Sequence, residues 1–255
     1  MALNRISRAY LIIGKTFNSW FSPIIAGFLI TFLRLIVGIG RILDHVFFWS
    51  IRKNLDSPIV IVGNPRSGTT FLHRFLIKQG IGTGSQLWQM IYPSIFIQKC
   101  IKPILPLMEI ISPARHHSTE AHKTSLTSIE TDDVSLFFRY LDGFFFYGFF
   151  LTFDEEDLFH WVDPKIRDTS ARDFAWFESM WKRNLRLNKG ERYIGKLFNK
   201  FSRAYLSLLP SHSIIIKKAI KTKIINKVNI ELNQLELIFI FNLSNILFPE
   251  NSILK

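Results

Sequence analysis

The chain has 255 residues, a net charge of +12 and a composition that is 48% hydrophobic. This length and apolar content suffice for a sizeable core, which excludes general disorder. The single cysteine, Cys100, excludes an internal disulfide framework, and we expect it to be a packed thiol. The positive charge suits an anionic cofactor, an acidic acceptor or an anionic membrane surface. Nucleic acid is not a predicted partner, because the aromatic residues lie in apolar runs and no nucleic-acid-binding module is recognisable.

Residues 1–53 form a hydrophobic N-terminal segment, and within it residues 21–40 are apolar except for Arg34. A helix of about 20 residues can cross a hydrocarbon core about 30 Å thick. The apolar residues outweigh the cost of the arginine only modestly. Three interpretations therefore stay open: a membrane-spanning helix, a helix lying in the membrane interface, and a hydrophobic hairpin packed on the rest of the chain. The predicted localisation is accordingly membrane-associated or cytoplasmic.

The most informative stretch is 57–80, which reads SPIVIVGNPRSGTTFLHRFLIKQG. Its β-branched run 59–62 predicts a short buried strand. From Thr69 onward the apolar residues recur at helical spacing and predict a helix that ends at Gly80; the residues expected on its apolar face are Phe71, Leu72, Phe75 and Leu76. A strand, a glycine turn and a helix in succession predict an anion site, because the first amides of the helix and the positive end of its dipole meet there.

The turn itself, 63–70, reads GNPRSGTT. Its glycines have the spacing of a nucleotide-phosphate loop, but Thr69 stands where that loop has its lysine. Because the lysine contributes much of the grip on the phosphates, an ATP or GTP hydrolase is disfavoured, and an NTPase or kinase with a lysine-free loop stays a minor alternative. Arg66 supplies positive charge instead, since its planar guanidinium suits the oxygens of a phosphate or sulfate.

Residues 65–70, PRSGTT after a strand, resemble the 5′-phosphosulfate loop of the sulfotransferases that use 3′-phosphoadenosine-5′-phosphosulfate (PAPS). Weaker similarity continues to about Pro210. The resemblance implies PAPS as co-substrate, with its 5′-phosphosulfate end held by Arg66, Ser67, Gly68, Thr69 and Thr70. The alternation of strand, loop and helix predicts a three-layer α/β/α domain around a parallel sheet over residues 54–210. The resemblance implies that this domain has the P-loop-like sulfotransferase fold.

Sulfuryl transfer to an alcohol requires a base that takes the hydroxyl proton. It also requires cationic groups or hydrogen-bond donors of the protein that contact the departing phosphate. The polar stretch 115–133 supplies His122 and Glu130 as candidates for the base, since the family uses a histidine or a glutamate; the alternative interpretation is a solvated, helix-capping stretch. By resemblance, Lys196 in the predicted strand 192–196 stands near a lysine that the family uses at its active site. No metal is predicted, because the reaction requires none and the histidines do not complete a coordination shell.

Two aromatic stretches follow the polar one. The run 137–151 predicts a core helix, or alternatively a wall of an apolar pocket for a lipid-like or other small-molecule acceptor. The acidic run 154–157 is interpreted as a solvated loop. Ser170 and Asp173 have the spacing of a capping box at the start of an amphipathic helix, whose apolar side is formed by Phe174, Phe177, Trp181 and Leu185.

After Pro210 the chain departs from the family pattern. The tail 211–255 is rich in Ile, Lys and Asn and lacks the Arg-Asp-Pro that the family uses, with a serine, on the donor's 3′-phosphate. We therefore expect a fold that is truncated or altered on its C-terminal side. The predicted function is sulfuryl transfer from PAPS to a hydroxyl or amine of a hydrophobic acceptor. The alternative is a membrane-associated pseudoenzyme that binds the sulfonucleotide without the 3′-phosphate clamp.

Overall fold

The computed structural model describes residues 2–48, 51, 58–63, 68–112, 124–163 and 165–198. The predicted site residues Arg66, Ser67 and His122 and the tail 211–255 lie outside these ranges. In chain order the described elements are α1 (Ala2–Phe17), α2 (Ser22–Phe47), β1 (Ile59–Gly63), α3 (Thr69–Lys78), α4 (Leu87–Ile91), α5 (Ile95–Ile101), α6 (Leu105–Ile111), α7 (Val134–Tyr140), α8 (Gly143–Phe150), α9 (Ser170–Leu187) and β2 (Ile194–Phe198). Short 3₁₀ turns occur at Lys102–Ile104, Leu151–Phe153 and Phe159–Trp161.

The two strands pair in parallel, with Ile59 opposite Ile194 and Ile61 opposite Lys196. Strand β1 was predicted from its β-branched run, and the strand predicted over 192–196 lies at Ile194–Phe198 in the structure. The chain therefore combines helices with a parallel pair of strands, as expected for an α/β chain. A further parallel bridge joins Thr83 to Tyr193 just before β2. The pairing places the carboxyl end of β1, where the glycine turn begins, beside the carboxyl end of β2.

Helix α3 ends as predicted. Gly80 adopts a left-handed conformation with φ of 68°, its amide donates to the Ile77 carbonyl (2.9 Å), and the Ile81 amide donates to the Leu76 carbonyl (3.2 Å). This pair of bonds is a Schellman motif. The predicted apolar face is partly wrong, because Phe71 is 65% exposed while His73 takes a buried position beside Leu76.

The main core lies between α9 and the sheet. It contains the predicted aromatic residues Phe177 and Trp181, and its remaining buried members are Met90, Leu136, Trp176, Met180, Tyr193 and Leu197. The predicted cap of α9 is displaced by one residue. Ser170 is the first helical residue, and Thr169 accepts the Asp173 amide with its carbonyl (2.9 Å) and donates its hydroxyl to the Asp173 carboxylate (2.7 Å).

The aromatic run 137–151 does not form one helix. Helices α7 and α8 meet at an angle of 79°, with Leu141 in a left-handed conformation (φ of 49°) and Asp142 at the bend. Asp142 accepts hydrogen bonds from three arginines, Arg5 (3.0 Å), Arg167 (2.7 Å) and Arg172 (2.9 Å). Burial alone would raise the pKa of Asp142, but the bond from Arg167 and the charge of Arg5 lower it to about 2.

Helix α1 packs on α8 and the following turn. Its Ala9 and Ile12 join a second core cluster that contains Phe146 and Leu151. The Arg8 guanidinium donates to the Asp154 carboxylate (2.8 Å), whose side chain is 8% exposed. The interpretation of residues 154–157 as a solvated loop is therefore wrong at Asp154, which anchors α1.

Helix α2 is long and apolar enough to cross a membrane by length and composition, and the bent pair Val134–Tyr140 and Gly143–Phe153 together meet the same criterion. The C-terminal half of α2 packs on α5 through Asp44, which accepts from the Ser94 hydroxyl (3.1 Å), the Ile95 amide (3.1 Å) and the Phe96 amide (2.8 Å). Cys100 on α5 is exposed, so the expectation of a packed thiol is wrong.

Candidate functional site

The site begins where β1 ends and α3 starts. Of the five residues predicted to hold the donor, Gly68, Thr69 and Thr70 lie in this part of the described chain. Gly68 has φ of 77°, a left-handed conformation that glycine adopts without the strain a side chain would add. Gly68 can therefore directly precede Thr69, the first residue of α3. The first amides of a helix have no partner within it, so this end of α3 offers donors to an anion.

Lys196 reaches this helix end from the neighbouring strand. Its Nζ donates a hydrogen bond to the Thr70 hydroxyl at 2.6 Å, and the residue is only 4% exposed. Burial lowers the pKa of Lys196, and the nearby charges of Glu130 and Asp133 act against that shift. The structure thus brings together two predicted site residues that are far apart in sequence, an ammonium from β2 and a hydroxyl from α3.

Glu130 is the candidate base that lies within the described residues, and two donors hold it. Its carboxylate accepts from the Arg74 guanidinium (3.0 Å) and from the Ser128 hydroxyl (2.8 Å). Arg74 was not predicted as a site residue. The signal that could have found it is its spacing of four from Thr70, which puts both side chains on one face of α3.

A fully buried carboxylate, Asp132, holds β2 in place. Asp132 accepts from the Tyr193 hydroxyl (2.7 Å) and from the Lys196 amide (2.8 Å), and its own amide donates to the Lys196 carbonyl (2.9 Å). Burial raises the pKa of Asp132 to about 7, although the bonds from Tyr193 and Lys196 lower it. Asp132 therefore fixes the backbone on which the Lys196 side chain is mounted.

His73, on the buried side of α3, was also missed. One ring nitrogen, Nε2, lies 2.9 Å from the Ile194 carbonyl, and burial lowers the pKa of His73 to about 4. The imidazole is therefore neutral near pH 7, and a carbonyl partner requires that Nε2 carry the proton. Because that nitrogen is committed to β2, His73 fastens α3 to the strand beside the site.

Neither a metal-binding group nor a similar known protein was found. Among the residues that the structure describes, no group of three or more His, Cys, Asp or Glu side chains could hold a metal ion. No protein-family model matches the chain, and no curated protein or solved structure matches it either.

Proposed function

We propose that the chain is a PAPS-dependent sulfotransferase. The observation that carries the proposal is the hydrogen bond from Lys196 Nζ to the Thr70 hydroxyl (2.6 Å). Thr69 occupies the place where an NTPase loop has its lysine, and Lys196 brings an ammonium to the same helix end from the adjacent strand. The charge that the loop lacks for holding an anion is thus provided by β2.

The donor set suits the 5′-phosphosulfate end of PAPS. Hydroxyls of Thr69 and Thr70, the Lys196 ammonium and the first amides of α3 are all hydrogen-bond donors, and the same motif adds Arg66 and Ser67. A doubly anionic group rich in acceptor oxygens matches such a set. The proposal includes the three-layer, P-loop-like sulfotransferase fold, which the parallel β1–β2 pair and the helix that follows β1 support.

In the reaction that we propose, an acceptor oxygen or nitrogen attacks the sulfur of PAPS. The bond between sulfur and the bridging oxygen of the 5′-phosphate breaks, and that oxygen leaves with the electron pair. Lys196 stabilises the developing negative charge, and Glu130 or His122 takes the proton of the acceptor. Adenosine 3′,5′-bisphosphate and the sulfated acceptor are the products.

We place the chain at a membrane and its acceptor among hydrophobic, lipid-like molecules. Helix α2 supports this location through its length and composition. The aromatic run supports the acceptor class, since Phe149 within it and Phe153 just after it are exposed. The net charge of +12 favours a surface that carries anionic lipids.

The test combines donor binding with turnover. Calorimetric binding of adenosine 3′,5′-bisphosphate and transfer of labelled sulfate from PAPS to a panel of lipids and phenols are both expected for the purified chain. Binding without turnover would instead favour the sulfonucleotide-binding pseudoenzyme, and stabilisation by ATP-Mg²⁺ alone would favour an NTPase.

A matched pair of lysine variants tests the site itself. Lys196→Met is expected to weaken binding of adenosine 3′,5′-bisphosphate about 10- to 100-fold, which corresponds to loss of a charged hydrogen bond of roughly 1.5–3 kcal/mol. Lys78→Met removes an exposed lysine from the other end of α3 and is expected to leave binding unchanged. Equal affinities of the two variants would contradict the role of Lys196.

A further inference from the structure

The arginine and aspartate side chains of α2 contact the rest of the protein. Arg34 donates to the Phe138 carbonyl of α7 (2.8 Å), Arg41 donates to the Ser179 hydroxyl of α9 (2.7 Å), and Asp44 pairs with Arg183 of α9 (2.9 Å). Each Arg or Asp side chain of α2 thus has at least one hydrogen-bond partner on the protein side of the helix. A surface helix in water has the opposite arrangement, with its charges outward.

The exposed surface of α2 is predominantly apolar, and its exposed polar residues are Ser22, Thr31 and His45. Six large side chains that recur at spacings of three and four are each more than half exposed: Ile25, Phe28, Phe32, Leu35, Ile39 and Ile42. Such spacing also occurs in dimeric coiled coils, but a coiled-coil seam is narrow and is flanked by charged residues. Here further apolar residues, among them Leu29 and Ile36, are exposed beside the stripe. The breadth of the face favours a lipid surface over a second copy of the chain.

Both flanks of α2 pack on the same body. Before it, α1 is held to the domain by ion pairs from Arg5 to Asp142 and from Arg8 to Asp154. In the last turn of α2 itself, Asp44 accepts a hydrogen bond from the Ile95 amide of α5. A single spanning helix would put its two flanks on opposite sides of the bilayer. Moreover, the part of α2 that precedes Arg34 covers about 18 Å, which is short of the roughly 30 Å of a hydrocarbon core.

The apolar face continues onto α5 and meets basic residues there. The rings of Phe47 and Phe96 stack with centroids 6.3 Å apart, and Lys99 Nζ lies 4.4 Å from the centre of the Phe48 ring. Lys99 and the following Lys102 are exposed. Apolar side chains bordered by lysines are the arrangement that binds the headgroup region of an anionic bilayer.

We propose that α2 lies in the plane of an anionic membrane with its outward face among the acyl chains, and that the chain is monotopic, with both ends of α2 on one side of the bilayer. This inference rests on the membrane location proposed above and is independent of sulfuryl transfer. It selects one of the three arrangements that the sequence left open for residues 21–40.

Flotation with vesicles tests the docking face. The full chain is expected to float with vesicles of 70% phosphatidylcholine and 30% phosphatidylglycerol, and Phe28→Glu and Ile39→Glu are each expected to reduce the bound fraction at least tenfold. Ile166→Glu is the control, because Ile166 lies outside α2 and is 68% exposed, close to the 70% of Phe28. This variant should float like the unmodified chain. Failure of the full chain to float, or equal flotation of all variants, would overturn the docking face. A concentration-dependent dimer that Phe28→Glu abolishes, without vesicle binding, would also overturn it.

Cysteine accessibility tests the topology. Cys100→Ser makes the chain cysteine-free, and Lys15→Cys and Lys78→Cys then place one exposed thiol before and one after α2. A membrane-impermeant maleimide added to sealed vesicles from expressing cells should label both variants from the same side, and the cysteine-free chain not at all. Labelling from opposite sides would overturn the monotopic arrangement while leaving the membrane location intact. Binding of adenosine 3′,5′-bisphosphate by Phe28→Glu, expected to be unchanged, keeps both results separate from the donor site.

Discussion

At the scale of single residues, the site depends on ionisable groups whose pKa values are shifted by burial. Asp132 is fully buried beneath β2 and its pKa is raised to about 7. Since an unfolded chain ionises this carboxyl near pH 4, the folded protein binds the proton more tightly between about pH 4 and pH 7. The stability contributed by the protonated form is therefore fully present below pH 4 and is lost as the pH rises to 7.

Replacement of Asp132 by asparagine tests this pH dependence. Asp132→Asn keeps an acceptor for Tyr193 and removes the titration, so the melting temperature of the unmodified chain relative to the variant is expected to fall between pH 5 and pH 8. Glu155→Gln removes an exposed carboxylate and should show no comparable trend. A constant difference between Asp132→Asn and the unmodified chain across this range would contradict the raised pKa.

Measurements of turnover, rather than of donor binding, can decide whether Glu130 or His122 is the base. If Glu130 is the base, Glu130→Gln is expected to lower kcat by a factor of about 10²–10⁴, the usual contribution of a general base, while binding of adenosine 3′,5′-bisphosphate persists. Glu191→Gln, at an exposed position before β2, serves as the control in the same assay. An unchanged kcat in Glu130→Gln would assign the role to His122.

At the scale of elements, local signals were predictable and long-range ones were not. Strand β1, the end of α3 at Gly80 and the amphipathic helix α9 could each be predicted from residues that lie close together in the sequence. The bend at Asp142 depends on Arg5, which lies 137 positions away in the sequence, and the contact of Lys196 with Thr70 spans 126 positions. Sequence periodicity carries no information about such pairs, so the run 137–151 was interpreted as one helix.

The junction of α2 with α5 is the element-level contact that we expect to matter most for stability. Asp44 is completely buried and serves four donors, including two amides at the start of α5. Asp44→Ala leaves these donors and Arg183 without their acceptor, and removal of one member of a buried ion pair typically costs about 3–5 kcal/mol. Urea denaturation should show this loss, whereas His45→Ala, at an exposed neighbour, should cost little. Losses of similar size in both variants would contradict the junction's importance.

At the scale of the whole molecule, the hydrophobic N-terminal helices are part of the folded body. Helix α1 contributes Ala9 and Ile12 to a buried cluster, and α2 supplies Asp44 to Arg183. The sequence predicted a hydrophobic segment over residues 1–53 and left open whether it packs on the rest of the chain, because hydropathy registers apolar length but not the few polar residues that attach it. The same limitation hid the inward orientation of Arg34, whose partner is a backbone carbonyl.

Removal of residues 2–47 is therefore expected to abolish cooperative unfolding rather than to release a soluble enzyme. The shortened chain would leave Asp142, Asp154 and Arg183 without partners from α1 and α2. Thermal circular dichroism measures the outcome. The control is the double variant Phe28→Glu with Ile39→Glu, which makes α2 less hydrophobic, keeps those partners and should still unfold in one transition. A sharp transition in the shortened chain would show that the helices are dispensable.

The close packing of α2 on α5 depends on Gly40, which has no β-carbon. A β-carbon added at Gly40 would come within 2.7 Å of the Ser94 hydroxyl and would collide with the Ile97 side chain. Alanine at this position would force the Ile97 and Ser94 side chains to move, and Ser94 is one of the donors to Asp44. Exchange of glycine for alanine changes the hydropathy profile of α2 very little. A substitution at Gly40 would therefore disturb the contact of α2 with α5 without leaving a trace in a hydropathy plot.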